Sequence, residues 1–336
     1  MNSPSPTIDS RRRRWFLRAS GLGVALATLA LMLATEPRLA IVWDEGYTLG
    51  RENRVRLWFR ALRDPAAFAR TWIPLGLELV QVDARMPPPP RPDQIDTRAE
   101  LFDRAVIAWF WPFAREEPHG HPPFYALVGL IGDVVVPDLP ELERARVGPI
   151  LVFSLTAGCL FGFMARRWGP WAGAAAAGAW ALQPQLFGHG HYAAYDALLT
   201  CLWVDAILAF WLAVEEGRPR WGWAVAFGVL LGWAADTKLT GWFLAVPFVG
   251  WAALYGIAGA FVRSTPHPNP PPQGGREPDP AGGKSSPSPL AGEGRVGGER
   301  ANAALRVALV GAPIALLTLY LFNPAWWLDP VGGVER

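Results

Sequence analysis

The chain of 336 residues is 51% hydrophobic, carries 18 Trp and has a formal net charge of +2. Tryptophan collects where an amphipathic ring can sit between lipid and water, so this composition points away from a soluble globular domain and to a multi-pass membrane protein. The small net charge argues against a dedicated nucleic-acid binder, and the two cysteines, both inside apolar runs, make neither a disulfide frame nor a zinc site.

Residues 1–14 form a basic N-terminus ending in Arg11 to Arg14. The run that follows, 15–35, reads as a first transmembrane helix whose start those arginines hold in the cytoplasm; a twin-arginine export signal is the alternative. A span needs about 20 apolar residues, fewer where flanking groups snorkel. Further candidates are 147–165, 170–187, 197–214, 221–237, 242–262 and 303–322. A shorter run, 122–137, contains Asp133 and opens on two prolines. If it does not cross, Arg166/Arg167, Arg218/Arg220 and Arg263/Arg306 share the cytoplasm with the N-terminus, as the positive-inside rule asks. It therefore reads as an interfacial helix, and 36–146 as one long external loop.

Within that loop, 51–70 patterns as an amphipathic surface helix, 86–94 (MPPPPRPDQ) as a polyproline spacer, and 99–114 as a second interfacial helix. Segment 147–262 carries the second to sixth spans. The Pro/Gly/Ser-rich stretch 263–302 reads as a disordered cytoplasmic insertion. After the seventh span, 323–336 is external. The fold class is thus an all-α polytopic membrane protein, a transmembrane helix bundle with a long first external loop.

This topology gathers five polar patches on the non-cytoplasmic face: Asp44 and Glu45 with Tyr47; His119 and His121; His189, His191, Tyr192, Tyr195 and Asp196; Asp236 and Lys238; and Asn323, Trp326 and Asp329. Ionisable groups at span ends are costly, and their convergence suggests one pocket. Each patch also has an ordinary reading. An Asp-Glu pair after a span is often only solvated, His-Pro-Pro serves as a helix start, and a lysine at a span end snorkels to headgroups. His189 and His191, two apart with no third ligand, are weak metal donors.

The order of WDEGYTLGRE (43–52), HPPFYAL (121–127), GHGHYAAYDALL (188–199), DTKLTGW (236–242) and NPAWWLDP (323–330) resembles the membrane glycosyltransferases of the GT-C fold. Within that fold the resemblance is to the family 39-like group, the protein O-mannosyltransferase and aminoarabinose transferase-like enzymes. The resemblance implies a polyprenyl-phosphate-linked sugar donor and a protein, lipid or glycan acceptor, glycosylated on the outer or periplasmic side of the plasma or inner membrane. It implies that Asp44 matches the family's catalytic or acceptor-activating acid, Glu45 its neighbour, His121 the loop motif and Asp196 the acid at the start of the fourth span. Family members continue past such a segment with more spans, so the expectation is a shortened chain.

A lipid phosphate leaves readily, so the reaction needs a base for the acceptor hydroxyl and cations for the developing phosphate charge. The expected roles are Asp44 as base in an inverting displacement, Glu45 orienting it or the acceptor, and Lys238 and His121 steadying the phosphate, with Tyr47, His119 and Asp196 completing the substrate site. A divalent ion on Asp44 and Asp196, with His189 and His191 as further candidate donors, is the other way to balance that charge. The rival readings are a transporter or flippase-like protein, which would place its charges near the bilayer midplane, and an inactive relative of the glycosyltransferases.

Overall fold

The computed structural model describes residues 8–66, 68, 95–111, 121–248, 250, 254 and 289–327. Helices make up its regular structure, and no strand occurs among the described residues. In chain order they are α1 (Ile8–Thr35), α2 (Trp43–Arg63), α3 (Arg104–Phe110), α4 (Phe124–Gly129), α5 (Ile131–Val135), α6 (Glu141–Trp168), α7 (Pro170–Leu182), α8 (Pro184–His191), α9 (Tyr195–Val214), α10 (Trp221–Thr237) and α11 (Pro289–Leu321). Three-residue 3-10 turns precede α2 and α3 and follow α11, and a six-residue 3-10 segment follows α10.

Among the described residues, four segments are long and apolar enough to cross a bilayer: Trp15–Arg38, Glu141–Trp168, Tyr195–Val214 and Asn302–Leu321. Their packing rests on small residues, because lipid tails solvate apolar side chains as well as a neighbouring helix does. In the antiparallel pair α1/α6, Leu17 lies near Phe161, and Met32 near Ile150 and Phe153. Between them the backbones meet at Gly21 and Gly158, where a Cβ on Gly158 would stand 2.6 Å from the Gly21 carbonyl oxygen. α10 and α11 run parallel, with Gly228 against Gly311 and Gly232 against Ala315 and Thr318. α9 lies between α6 and α10.

Several expectations shift in detail. The run 170–187 is not one helix. It breaks after Leu182, and Pro184, lacking an N–H, opens α8 at the first helical position while the Gln183 side chain accepts the Leu186 N–H. The amphipathic helix expected over 51–70 begins earlier, at Trp43, so Asp44 and Glu45 occupy the first turn of α2 and not a loop. The run 122–137 is two short helices, α4 and α5, pressed against α6. The stretch 263–302, expected to be disordered throughout, is helical from Pro289. Residues 263–288, the polyproline spacer and most of 249–262 lie outside the described residues.

The early appearance of α2 explains its pattern. It buries Glu45, Thr48, Arg51, Glu52, Val55, Trp58 and Ala61, a helical spacing that is polar in the first half and apolar in the second. Only the second half reads as amphipathic in the sequence. That apolar half joins Ile95, Leu101, Ile107, Trp109, Phe110 and Phe124 in a core that seats on Leu198, Leu199 and Leu202 of α9 and Ala234 of α10. The loop segments therefore form a cap fixed on one end of the bundle, where α1, α8 and α10 finish and α6 and α9 begin.

Candidate active site

The cap and the bundle meet around Tyr195, the first residue of α9. The His121 imidazole packs on its ring, with centroids 3.9 Å apart. Tyr125 of α4 meets it edge-on at 5.8 Å, and the Lys238 ammonium stands 4.7 Å from the ring centroid, a cation–π distance. Lys238 also donates to Asp196 Oδ1 at 2.8 Å, tying the end of α10 to the start of α9. Asp44, Asp196 and Arg51 all lie within electrostatic reach of the Tyr195 hydroxyl. Residues of three expected patches, and the acid of a fourth, thus share one neighbourhood.

Asp44 and Glu45 have opposite fates within one helical turn. Asp44 is exposed and has no hydrogen-bond or ion-pair partner among the described residues. Its place in the first turn of α2 puts a negative charge at the favourable end of the helix dipole. Glu45 is fully buried and accepts two 2.7 Å bonds from Arg146. Tyr47 is exposed and meets Trp43 edge-on. His119 and Asp329 lie outside the described residues.

The two histidines of GHGH separate. His189 is exposed beside Tyr192. His191 is fully buried, its Nδ1 2.6 Å from the Phe187 carbonyl and its Nε2 2.8 Å from the Thr35 hydroxyl. Both ring nitrogens are engaged, Nδ1 within α8 and Nε2 at the end of α1, so they do not fit a metal site shared with His189. Among the described residues no three His, Cys, Asp or Glu side chains gather to hold an ion.

Asp236 and Asn323 are also buried, at matching ends of the parallel helices α10 and α11. Both Asp236 carboxylate oxygens and Asn323 Oδ1 have no hydrogen-bond partner among the described residues. Trp233, one turn before Thr237, stacks on Phe124 at 4.8 Å, and Phe322 closes on both rings. This aromatic group holds α4, and with it His121 and Tyr125, against the bundle.

Three residues of this region receive no role from the sequence, although Arg51 and Glu52 close the WDEGYTLGRE stretch. Arg51 donates to the Tyr125 hydroxyl at 3.2 Å. Burial raises the Tyr125 phenol above its ordinary pKa, with Arg51 opposing. Glu52, against Gly129 of α4, lines a small cavity with Thr48, Tyr125 and Ala193. Burial, aided by Asp133 and Glu141 and opposed by Arg56, pushes Glu52 up to about 8. Arg146 is the third: read as the last residue of the external loop, it is the partner that Glu45 requires. Arginines are common in that loop, and only three-dimensional pairing distinguishes these two.

No curated protein and no solved structure shows a match to this chain. Residues 121–268 match the family model of dolichyl-phosphate-mannose-protein mannosyltransferase. That segment includes His121, Tyr125, Tyr195, Asp196 and Lys238 and excludes Asp44 and Glu45. With an all-helical fold that includes long apolar helices, this match over part of the chain supports a membrane glycosyltransferase of the GT-C type, family 39-like.

Proposed function

We propose that the protein transfers a sugar from a polyprenyl-phosphate donor to an acceptor hydroxyl on the non-cytoplasmic side of the membrane, with inversion at the anomeric carbon. The observation that carries this reading is the exposed Asp44 carboxylate, without a hydrogen-bond or ion-pair partner among the described residues, within electrostatic reach of Tyr195, around which Asp196, Lys238 and His121 gather.

In this mechanism the Asp44 carboxylate takes the acceptor hydroxyl proton as the acceptor oxygen bonds to the anomeric carbon. The bond from that carbon to the phosphate oxygen breaks, and the lipid phosphate leaves with the electron pair. Inversion places base and leaving group on opposite faces of the sugar. Lys238 meets the growing phosphate charge, sharing its protons between Asp196 and the phosphate oxygens, and His121 adds a donor beside it. Tyr195 and Tyr125 offer aromatic surface for the sugar ring. Glu45 serves to place Asp44, since its own oxygens are occupied. No step is assigned to a metal ion, because no three His, Cys, Asp or Glu side chains gather among the described residues.

The test is sugar transfer from polyprenyl-phosphate donors in membranes bearing Asp44→Asn. Loss of a general base lowers the rate by about 10²- to 10⁴-fold. Activity near that of the parent protein would remove Asp44 from the role.

A further inference from the structure

We infer that Arg146 is a positioning residue for Asp44, acting through Glu45; this rests on the proposed role of Asp44 as the base. Arg146 is 1% exposed, and every N–H of its guanidinium is used. Nε donates to Glu45 Oε1 at 2.7 Å. Nη1 donates to Glu36 Oε1 at 2.9 Å and to the Leu39 carbonyl at 3.1 Å. Nη2 donates to Glu45 Oε2 at 2.7 Å and to the Ala40 carbonyl at 3.0 Å. A guanidinium has five N–H donors in a rigid planar fork; here three bonds reach the short connection from α1 to α2 and two reach the Glu45 carboxylate in the first turn of α2. A side chain so saturated has no donor to give a substrate phosphate.

Glu45 is filled in the same way. Besides the two bonds from Arg146, Oε2 accepts the Val42 N–H at 3.0 Å and Oε1 accepts the Ala193 N–H at 2.8 Å. The Val42 bond fixes the entry to α2, where the carboxylate at the third helical position reaches back over the start of the helix. The Ala193 bond ties the same carboxylate to the connection that leads into Tyr195 and Asp196. The neighbouring Thr48 hydroxyl meets the Ala193 carbonyl, closing this link from the other side.

The clamp therefore fixes Asp44, one residue before Glu45, relative to Tyr195 and Asp196. Two buried carboxylates against one guanidinium form an expensive arrangement. Removing one partner leaves a buried charge uncompensated, and apolar replacements of similar volume often fold as well or better. Such a group is a weak source of stability, whereas its geometry is well suited to holding a carboxylate that must face a reacting hydroxyl. Misplacement of a reacting group by about 1 Å is enough to cost about a hundred-fold in rate.

The experiment is a double-mutant cycle in membranes, with Arg146→Lys and Asp44→Asn made singly and together. Lysine keeps the charge but cannot reproduce the five-bond fork. Arg146→Lys is expected to lower kcat by at least about ten-fold while the donor KM changes by less than about three-fold, a partial form of the loss expected for misplacement. In the Asp44→Asn background the same change should have no further effect on kcat. Equal fractional losses in both backgrounds, or a loss confined to KM, would overturn the inference. Asp44→Asn alone reports on the parent proposal, so its failure is seen separately. Should Arg146→Lys accumulate poorly, Glu45→Gln, which keeps the shape and weakens the pairing, enters the cycle in its place with the same expectation.

Discussion

Lys238 Nζ lies 2.8 Å from Asp196 Oδ1 and so joins the end of α10 to the start of α9 beside the ring of Tyr195. Both side chains remain partly exposed, which makes the pair a weak contributor to stability. Its position favours a role in binding. Lys238→Ala is expected to raise the donor KM by about ten-fold or more, the loss typical of a hydrogen bond to a charged group. Lys238→Arg should recover part of it, and the thermal midpoint in detergent should hardly move. An unchanged donor KM in Lys238→Ala would remove this lysine from phosphate recognition.

Glu52 makes stability depend on pH. Burial holds its carboxyl at about 8, against 4.5 for the ordinary group, even though Arg56 is 2.8 Å away. Below about 4.5 both the folded and the unfolded chain carry the proton. Between about 4.5 and about 8 only the unfolded chain releases it, so this group's contribution falls as pH rises and levels off above about 8. Glu52→Gln removes that dependence. The thermal midpoint of the variant, compared with the parent protein, should improve from pH 5 to pH 8. A difference that stays constant over this range would show Glu52 to be ionised throughout.

Much of the bundle is legible because a span must be apolar over its whole length. The seventh span, expected at 303–322, matches the apolar segment Asn302–Leu321 almost residue for residue. The break at Gln183 and Pro184 hides within a run that is apolar on both sides, so hydropathy alone does not show it. The first half of α2 hides for the opposite reason. Glu45, Arg51 and Glu52 look like a solvated face, and their burial depends on Arg146, Tyr125 and Arg56, each distant in sequence or masked by the surrounding arginines. The site divides in the same way. His121, Asp196 and Lys238 stand out as polar groups at span ends, whereas nothing local separates the exposed Asp44 from its buried neighbour, or the exposed His189 from the buried His191.

The contact between α1 and α6 sets a strict size limit. A Cβ at Gly158 would lie 2.6 Å from the Gly21 carbonyl oxygen and 2.9 Å from the Ala25 Cβ, so backbone must move to admit it. Gly158→Leu is expected to destabilise the protein by about 1–3 kcal/mol or more, the usual cost of overpacking. Gly162→Ala, one turn along the same helix with nothing within 4 Å of its Cβ position, serves as the control. Thermal midpoints of the purified proteins in one detergent compare the two. Equal midpoints would mean that the helices do not pack at Gly158 as described.

The single-pocket reading also predicts a common sidedness for residues far apart in the chain. Positions 44, 121, 196 and 238 begin α2, precede α4, begin α9 and follow α10, and all lie at the same end of the bundle. Single cysteines at these positions, in a background with Cys159 and Cys201 replaced, should react with a membrane-impermeant thiol reagent added from the non-cytoplasmic side. Cys201 is buried and Cys159 lies on a bundle helix, so neither replacement touches the proposed site. A polyprenyl-phosphate sugar should slow labelling at 196 and 238, where the phosphate is proposed to sit. If the four positions divide between the two faces, they cannot form one pocket, and if all four react only from the cytoplasmic side, the pocket stands but the proposed direction of transfer is reversed.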